Sequence, residues 1–215
     1  MAMSQAEDDD RPWTEEQWEA FMKRSDVRSA KFGELMETLR HHPDRDQIID
    51  KEMGWDKPVN EEFAKIVEEA AEAVEKGEVE DLDDAEPVEE IPVYARAWEV
   101  GEKVERVLEP WLKAPVGKDE EFNELIGEAF INIHIVCAKI AGGHGMGYED
   151  DVLCGNIVYC KRALQACRKG IEAWEELAKR GIVKKQLAEE IVKDMQEVRG
   201  MVEQHMAELR NRVWW

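Results

Sequence analysis

Beyond about residue 92 the apolar positions recur at alternating steps of three and four, the spacing that keeps side chains on one face of an α-helix. Four such stretches follow one another. The first, about 92–113, carries Tyr94, Trp98, Gly101, Val104, Leu108 and Trp111. The second, about 119–141, carries Phe122, Ile126, Ala129, Phe130, Ile133, Val136, Cys137 and Ile140. The third, about 149–179, continues with Leu153, Ile157, Cys160, Leu164, Cys167, Ile171, Trp174 and Ala178. The fourth, about 183–212, uses Leu187, Ile191, Met195, Val198, Val202, His205 and Leu209. Helices of this length joined by short turns pack antiparallel to their neighbours, so the pattern predicts an up-down antiparallel four-helix bundle over residues 92–213.

Upstream the pattern is shorter in range. The stretch PWTEEQW at 12–18 reads as a helix start, with Thr14 as N-cap, Gln17 closing a capping box and Trp13 meeting Trp18 as a hydrophobic staple. Short helical segments run on to about Trp55, broken at His41-His42-Pro43 and at Met53-Gly54, and a further helix over about 60–76 places Phe63, Val67, Ala70 and Val74 on one face. From 77 to 92 the sequence GEVEDLDDAEPVEEIP is acidic, contains two prolines and has no periodicity, so it reads as a linker. The expected organisation is a disordered acidic N-terminus at 1–11, an N-terminal helical region at 12–77, an acidic linker at 78–91 and the bundle at 92–213. The fold class is all-α, with the acidic region of shorter helices preceding the bundle.

Composition supports helix, because Glu, Ala, Lys, Leu, Arg and Met dominate while Thr, Tyr and Phe are scarce. Charge changes the picture more. The net charge is −21, and it is concentrated: residues 1–90 hold 29 acidic and 11 basic side chains, a net −18, leaving 21 and 18, a net −3, for residues 91–215. Nucleic-acid binding draws its affinity from Lys and Arg that displace counterions, so a polyanion is a poor partner for the first part. The acidic start MAMSQAEDDDRPW lacks the basic and apolar runs of a signal peptide, and no stretch reaches about 18 uninterrupted apolar residues, so the expected setting is cytoplasmic with no membrane partner. Cys137, Cys154, Cys160 and Cys167 form no C-x-x-C pair and are expected as reduced thiols.

The stretch IAGGHGMGYEDD at 140–151 is the most suggestive for chemistry, with Gly142, Gly143, Gly145 and Gly147 between two long helices. A phosphate loop would follow a strand and end in Gly-Lys-Ser/Thr, and a dinucleotide fingerprint needs a βαβ unit. Here Glu149, Asp150 and Asp151 occupy the helix N-terminus that an anion would need. The expectation is a helix-reversal turn, with Gly142 or Gly143 as the left-handed C-cap. A carboxylate-bridged metal site would require Glu-x-x-His motifs, which are absent; Glu128 and His134 stand about 120° apart on a helix, and Glu68, Glu72 and Glu75 share a charged face opposite Val67 and Val74. His134 and His205 read as core histidines hydrogen-bonded to carbonyls, His41-His42-Pro43 as a helix terminus, and Cys160 and Cys167 as small core residues without an activating base. No catalytic residue, metal ligand or cofactor is assigned.

The order of features over about residues 93–212 resembles the 23S ribosomal RNA intervening-sequence proteins, also called four helix bundle proteins. VYARAWEVGEKVERVL is similar to the family's opening helix with its Trp and Ala, and the Ile-Ala-x-Gly-x-Gly core at 140–145 is similar to its N-I-A-E-G-x-G-R motif. WEELAKRGIV matches the Gly-terminated end of its next long helix. The resemblance implies a bundle that associates into a ring, commonly a pentamer, with no enzymatic activity. In one relative, which serves diversity-generating retroelements, a basic ring surface engages nucleic acid and a reverse transcriptase. Here Gly142 stands at the family's acidic position, Met146 replaces its motif arginine, and Glu124 to Glu128 replaces an Arg-rich stretch. Nucleic acid is therefore not an expected partner.

One feature exceeds what a single bundle needs. Ile131 and Ile135 lie on a flank of the second long helix away from its seam, so that helix is apolar on more than one side and requires a second partner, either another subunit or the N-terminal helices. The Trp214-Trp215 end has the character of a buried contact or of a loose tail. The leading functional expectation is a non-enzymatic, self-associating interaction or scaffold module, a homo-oligomer with Ile131 and Ile135 at its interface. The alternative is a nucleic-acid or ribonucleoprotein accessory protein using Lys161, Arg162, Arg168 and Lys169, and a bundle metalloenzyme stands third.

Overall fold

A computed structural model describes residues 11–57, 65, 68, 71, 72, 76, 87–115, 117 and 119–215. The expected helix at 60–76 with its face of Phe63, Val67, Ala70 and Val74, the acidic segment 78–86 and the first ten residues lie outside these described residues, apart from isolated positions.

The described chain is all-helical, without a strand among those residues: α1 (Glu15–Thr38), α2 (Arg45–Met53), a 3-10 turn (Val88–Glu90), α3 (Pro92–Leu112), α4 (Glu120–Met146), α5 (Asp150–Lys179) and α6 (Lys185–Arg210). It divides into two compact units, one of Met1–Glu19 with Pro87–Trp215 and the other of Ala20–Glu86. The boundary differs from the expected one, because the first turn of α1 belongs with the long helices.

In the larger unit α4 packs on α3 and α5, and α6 packs on α5 and α3, an arrangement compatible with a bundle. The core is continuous through Val100, Val104 and Leu108 of α3, Ile133 and Val136 of α4, Ile157, Trp174 and Leu177 of α5, and Ile191, Met195 and Val202 of α6. Trp174 is fully buried and donates its indole Nε1–H to the Ala129 carbonyl at 3.0 Å, so the largest core side chain leaves no polar atom unsatisfied. One α3 position differs from expectation. Trp98 is 51 % exposed, and the seam runs instead through Val93, Ala97, Val100, Val104 and Leu108, one residue out of phase with Trp98.

The helix ends follow local chemistry. Thr14 N–H donates to Gln17 Oε1 at 2.8 Å and Gln17 N–H to Thr14 Oγ1 at 3.3 Å, the reciprocal capping box. Trp13 and Trp18 meet edge to face at 5.0 Å. Asp119 caps α4 by accepting from Phe122 N–H at 3.0 Å.

In the smaller unit the breaks fall at 39–44 and at Gly54, whose φ of 72° closes α2. Phe32 packs on Trp55 with ring centroids 5.5 Å apart, and Lys31 reaches the Glu52 carbonyl at 2.5 Å.

Candidate functional site

The junction between α4 and α5 does not reverse where expected. Gly142, Gly143 and Gly145 all lie within α4, which continues to Met146, and the reversal occurs at Gly147, with φ 98°. The correction has a packing cause. A Cβ on Gly143 would stand 2.5 Å from Asn156 Oδ1, and one on Gly142 would stand 2.8 Å from the Tyr159 ring, so these glycines let α5 approach the α4 backbone. Gly145 has open space around it. Asn156, almost fully buried, donates Nδ2 to the Gly147 carbonyl at 3.2 Å and so ties the turn to α5. His144 Nδ1 lies 2.9 Å from the Tyr148 hydroxyl, and Arg212 donates to the Tyr148 carbonyl at 2.6 Å. The Gly147 and Tyr148 carbonyls are thereby engaged within the protein.

Asn132 and Asn156 were not singled out by the periodicity. Each is a polar residue inside an apolar seam, a signal that points to a satisfied internal bond: Asn132 donates to the Glu128 carbonyl at 2.7 Å. His134 departs from expectation, because its Nε2 is buried without a hydrogen-bond partner among the described residues. The ring packs against Phe130 at 4.7 Å and fills the space above Gly101, and burial lowers its pKa against the opposing pull of Glu105. It stays neutral at neutral pH.

The basic residues of α5 fall into two groups. Lys161 Nζ stands 2.5 Å from Glu15 Oε2 and Arg162 Nη2 stands 3.9 Å from Glu19, so the start of α1 lies over this pair. Arg210 of α6 grips the same Glu15 with two bonds of 3.0 Å. Trp18 completes the contact, since a Cβ on Gly155 would reach its indole ring at 3.0 Å. Two turns on, Arg168 and Lys169 are exposed, Arg168 with Glu172 at 3.9 Å. The four residues expected as one nucleic-acid face are thus split: Lys161 and Arg162 face carboxylates of α1, Arg168 faces Glu172 of its own helix, and Arg168 and Lys169 stay exposed. Glu15 has its pKa lowered, by Arg210 foremost and then by Lys161 against the cost of burial.

On α4, Ile131 is 46 % exposed and Ile135 is half-buried, packed against the core margin. Ile131 shares its side of the helix with exposed Ala138 and Gly145, so an apolar and small-residue face lies open. Among the described residues α4 is also the one helix long and apolar enough to cross a membrane, and 44 % of that stretch is buried in the fold. The C-terminus is anchored: Trp215 packs at the core margin and Trp214 donates to Asp150 Oδ2 at 2.7 Å.

All four cysteines are buried unpaired thiols. Burial pushes Cys137 to about 11 and Cys160 and Cys167 to about 12, so the nucleophilic thiolate is scarce at neutral pH. Among the described residues no three His, Cys, Asp or Glu side chains are grouped to hold a metal ion.

These features define a packed helical protein with an open apolar helix face. No protein-family model, no curated protein and no solved structure matches the chain.

Proposed function

We propose that this chain is a non-enzymatic, self-associating interaction module whose four long helices form an up-down bundle and whose copies meet through the outer face of α4. The observation that carries the reading is the exposure of Ile131 on a helix whose opposite side already fills the core. An apolar side chain at that position is covered only in part by its own subunit and gains further burial from a second one. Ala138 and Gly145 on the same side permit close approach of another helix. The short connections at 147–149 and 180–184 support the up-down topology, since each leaves a helix little choice but to run back along its predecessor. The resemblance to the intervening-sequence proteins points to a ring, with a pentamer as its commonest form.

The alternative, a nucleic-acid accessory role, draws on exposed Arg168 and Lys169 alone, because Lys161 and Arg162 already face Glu15 and Glu19. A thiol or metal enzyme has less behind it, given the raised thiol pKa values.

The test is the double variant Ile131→Glu/Ile135→Glu. It places two like charges at each contact, and the expected product is a folded monomer that keeps its helical circular dichroism. A variant unchanged in solution mass would remove the main support for the reading.

A further inference from the structure

The outer side of α3 carries a second surface, at the margin of the core. Trp98 stands out of the seam, and Tyr94, one turn before it and half-buried, lies nearly parallel to it, with ring centroids 6.1 Å apart and 23° between planes. Together with Ala95, Glu89 and Glu99, the two rings line an open groove of about 430 Å³. Its floor is aromatic and its rim is acidic.

The nearby cations only partly neutralise that rim. Arg96 contacts Glu99 at 3.2 Å but also reaches across to α6, to Asp194 at 2.9 Å and Glu197 at 3.0 Å. Lys103 is held by the same Asp194 at 2.8 Å. Glu89 is exposed and makes no ion pair among the described residues, and Glu102 follows Trp98 by one turn on the same side of the helix. The Tyr94 phenol is pushed up by burial first, then by Cys137 and Glu89, so the ring remains neutral beside the carboxylate.

We propose that this groove binds a cationic side chain, arginine in preference to lysine, presented by a basic segment of a partner protein. The face of an indole attracts a cation through its quadrupole, and a guanidinium can stack on the ring while donating in-plane hydrogen bonds to carboxylates. Glu89 is placed to receive those bonds, Glu99, which shares Arg96 with Asp194 and Glu197, adds a second carboxylate to the rim, and the net charge of −21 favours the approach of a basic segment over an acidic one. The site is separate from the self-association reading and stands without it.

Fluorescence anisotropy of a labelled peptide of alternating arginine and glycine, titrated with the full chain at about 0.15 M salt, tests the assignment. The expected result is saturable binding, tighter than for the lysine counterpart. Trp98→Ala should weaken it about tenfold or more with solution mass and circular dichroism unchanged, and Glu89→Gln should weaken it about threefold. Binding to Trp98→Ala within twofold of the parent chain would show that the acidic surface alone attracts the peptide, and would overturn the proposal. So would absence of binding at about 1 mM peptide, a millimolar dissociation constant being the weak end of the affinity scale. A fall in solution mass in Trp98→Ala would make the groove a contact between copies and would equally defeat it.

Discussion

Replacing Glu15 by Gln removes one charge while keeping the side-chain shape, at the point where the start of α1 meets α5 and α6. In the parent protein Glu15 accepts two bonds of 3.0 Å from Arg210 and faces Lys161, and its side chain is only 20 % exposed. A fully buried pair broken on one side costs about 3–5 kcal/mol, whereas an exposed pair contributes less than about 1. Arg210 and Lys161 are 43 % and 40 % exposed, so both can return to water when the carboxylate is lost. The expected destabilisation at pH 7 is therefore about 1 kcal/mol, or about 2–4 °C in midpoint for a chain of this size. The pH dependence has a definite sign. The folded-state pKa of Glu15 lies below its ordinary value, so its stabilisation is complete above that ordinary value and is lost as pH falls through the lower folded value. Urea denaturation followed by circular dichroism at pH 7 and in acid should show a gap between parent and variant that closes in acid. Equal stability at pH 7, or a gap that widens in acid, would refute the assignment of Glu15 as the clasp.

Three further outcomes follow from the same geometry. Gly145→Ala, in open space within α4, should stabilise the protein by about 0.4–1 kcal/mol, while Gly143→Ala, whose Cβ meets Asn156 Oδ1, should destabilise it by about 1–3 kcal/mol; thermal midpoints measure both. Cys137, Cys160 and Cys167 should resist a thiol reagent at pH 8 in the native protein and react only on unfolding, as a timed colorimetric assay would record. The intact chain should show no sub-micromolar, salt-sensitive binding to RNA or DNA, because its −21 charge opposes a polyanion and Lys161 and Arg162 already face carboxylates; a filter-binding titration across salt concentrations checks this.

The long helices were legible because each buries one periodic stripe: Ile126, Ile133, Val136 and Ile140 of α4 are in the core as their spacing indicates. The capping box at Thr14 and Gln17 was legible because its chemistry is local. The run of glycines was misleading for a physical reason. Glycine is needed both where φ is positive and where another backbone comes close, and residue counting does not separate the two. Only Gly147 has the positive φ, while Gly142 and Gly143 serve the approach of α5 through Tyr159 and Asn156, which depends on tertiary packing. Trp98 was misplaced for a related reason, since Tyr94 and Trp98 fit a helical stripe one residue out of phase with the buried one. The clasp of Glu15 on Arg210 joins residues 195 apart, beyond the reach of any local pattern.

The self-association claim is tested most directly by the solution mass of the unmodified chain, measured by light scattering coupled to size exclusion across a wide range of concentration. An open Ile131 face that needs a second copy predicts a mass that is a multiple of the 24.8 kDa subunit and declines on dilution. A mass of 24.8 kDa at every concentration would contradict it.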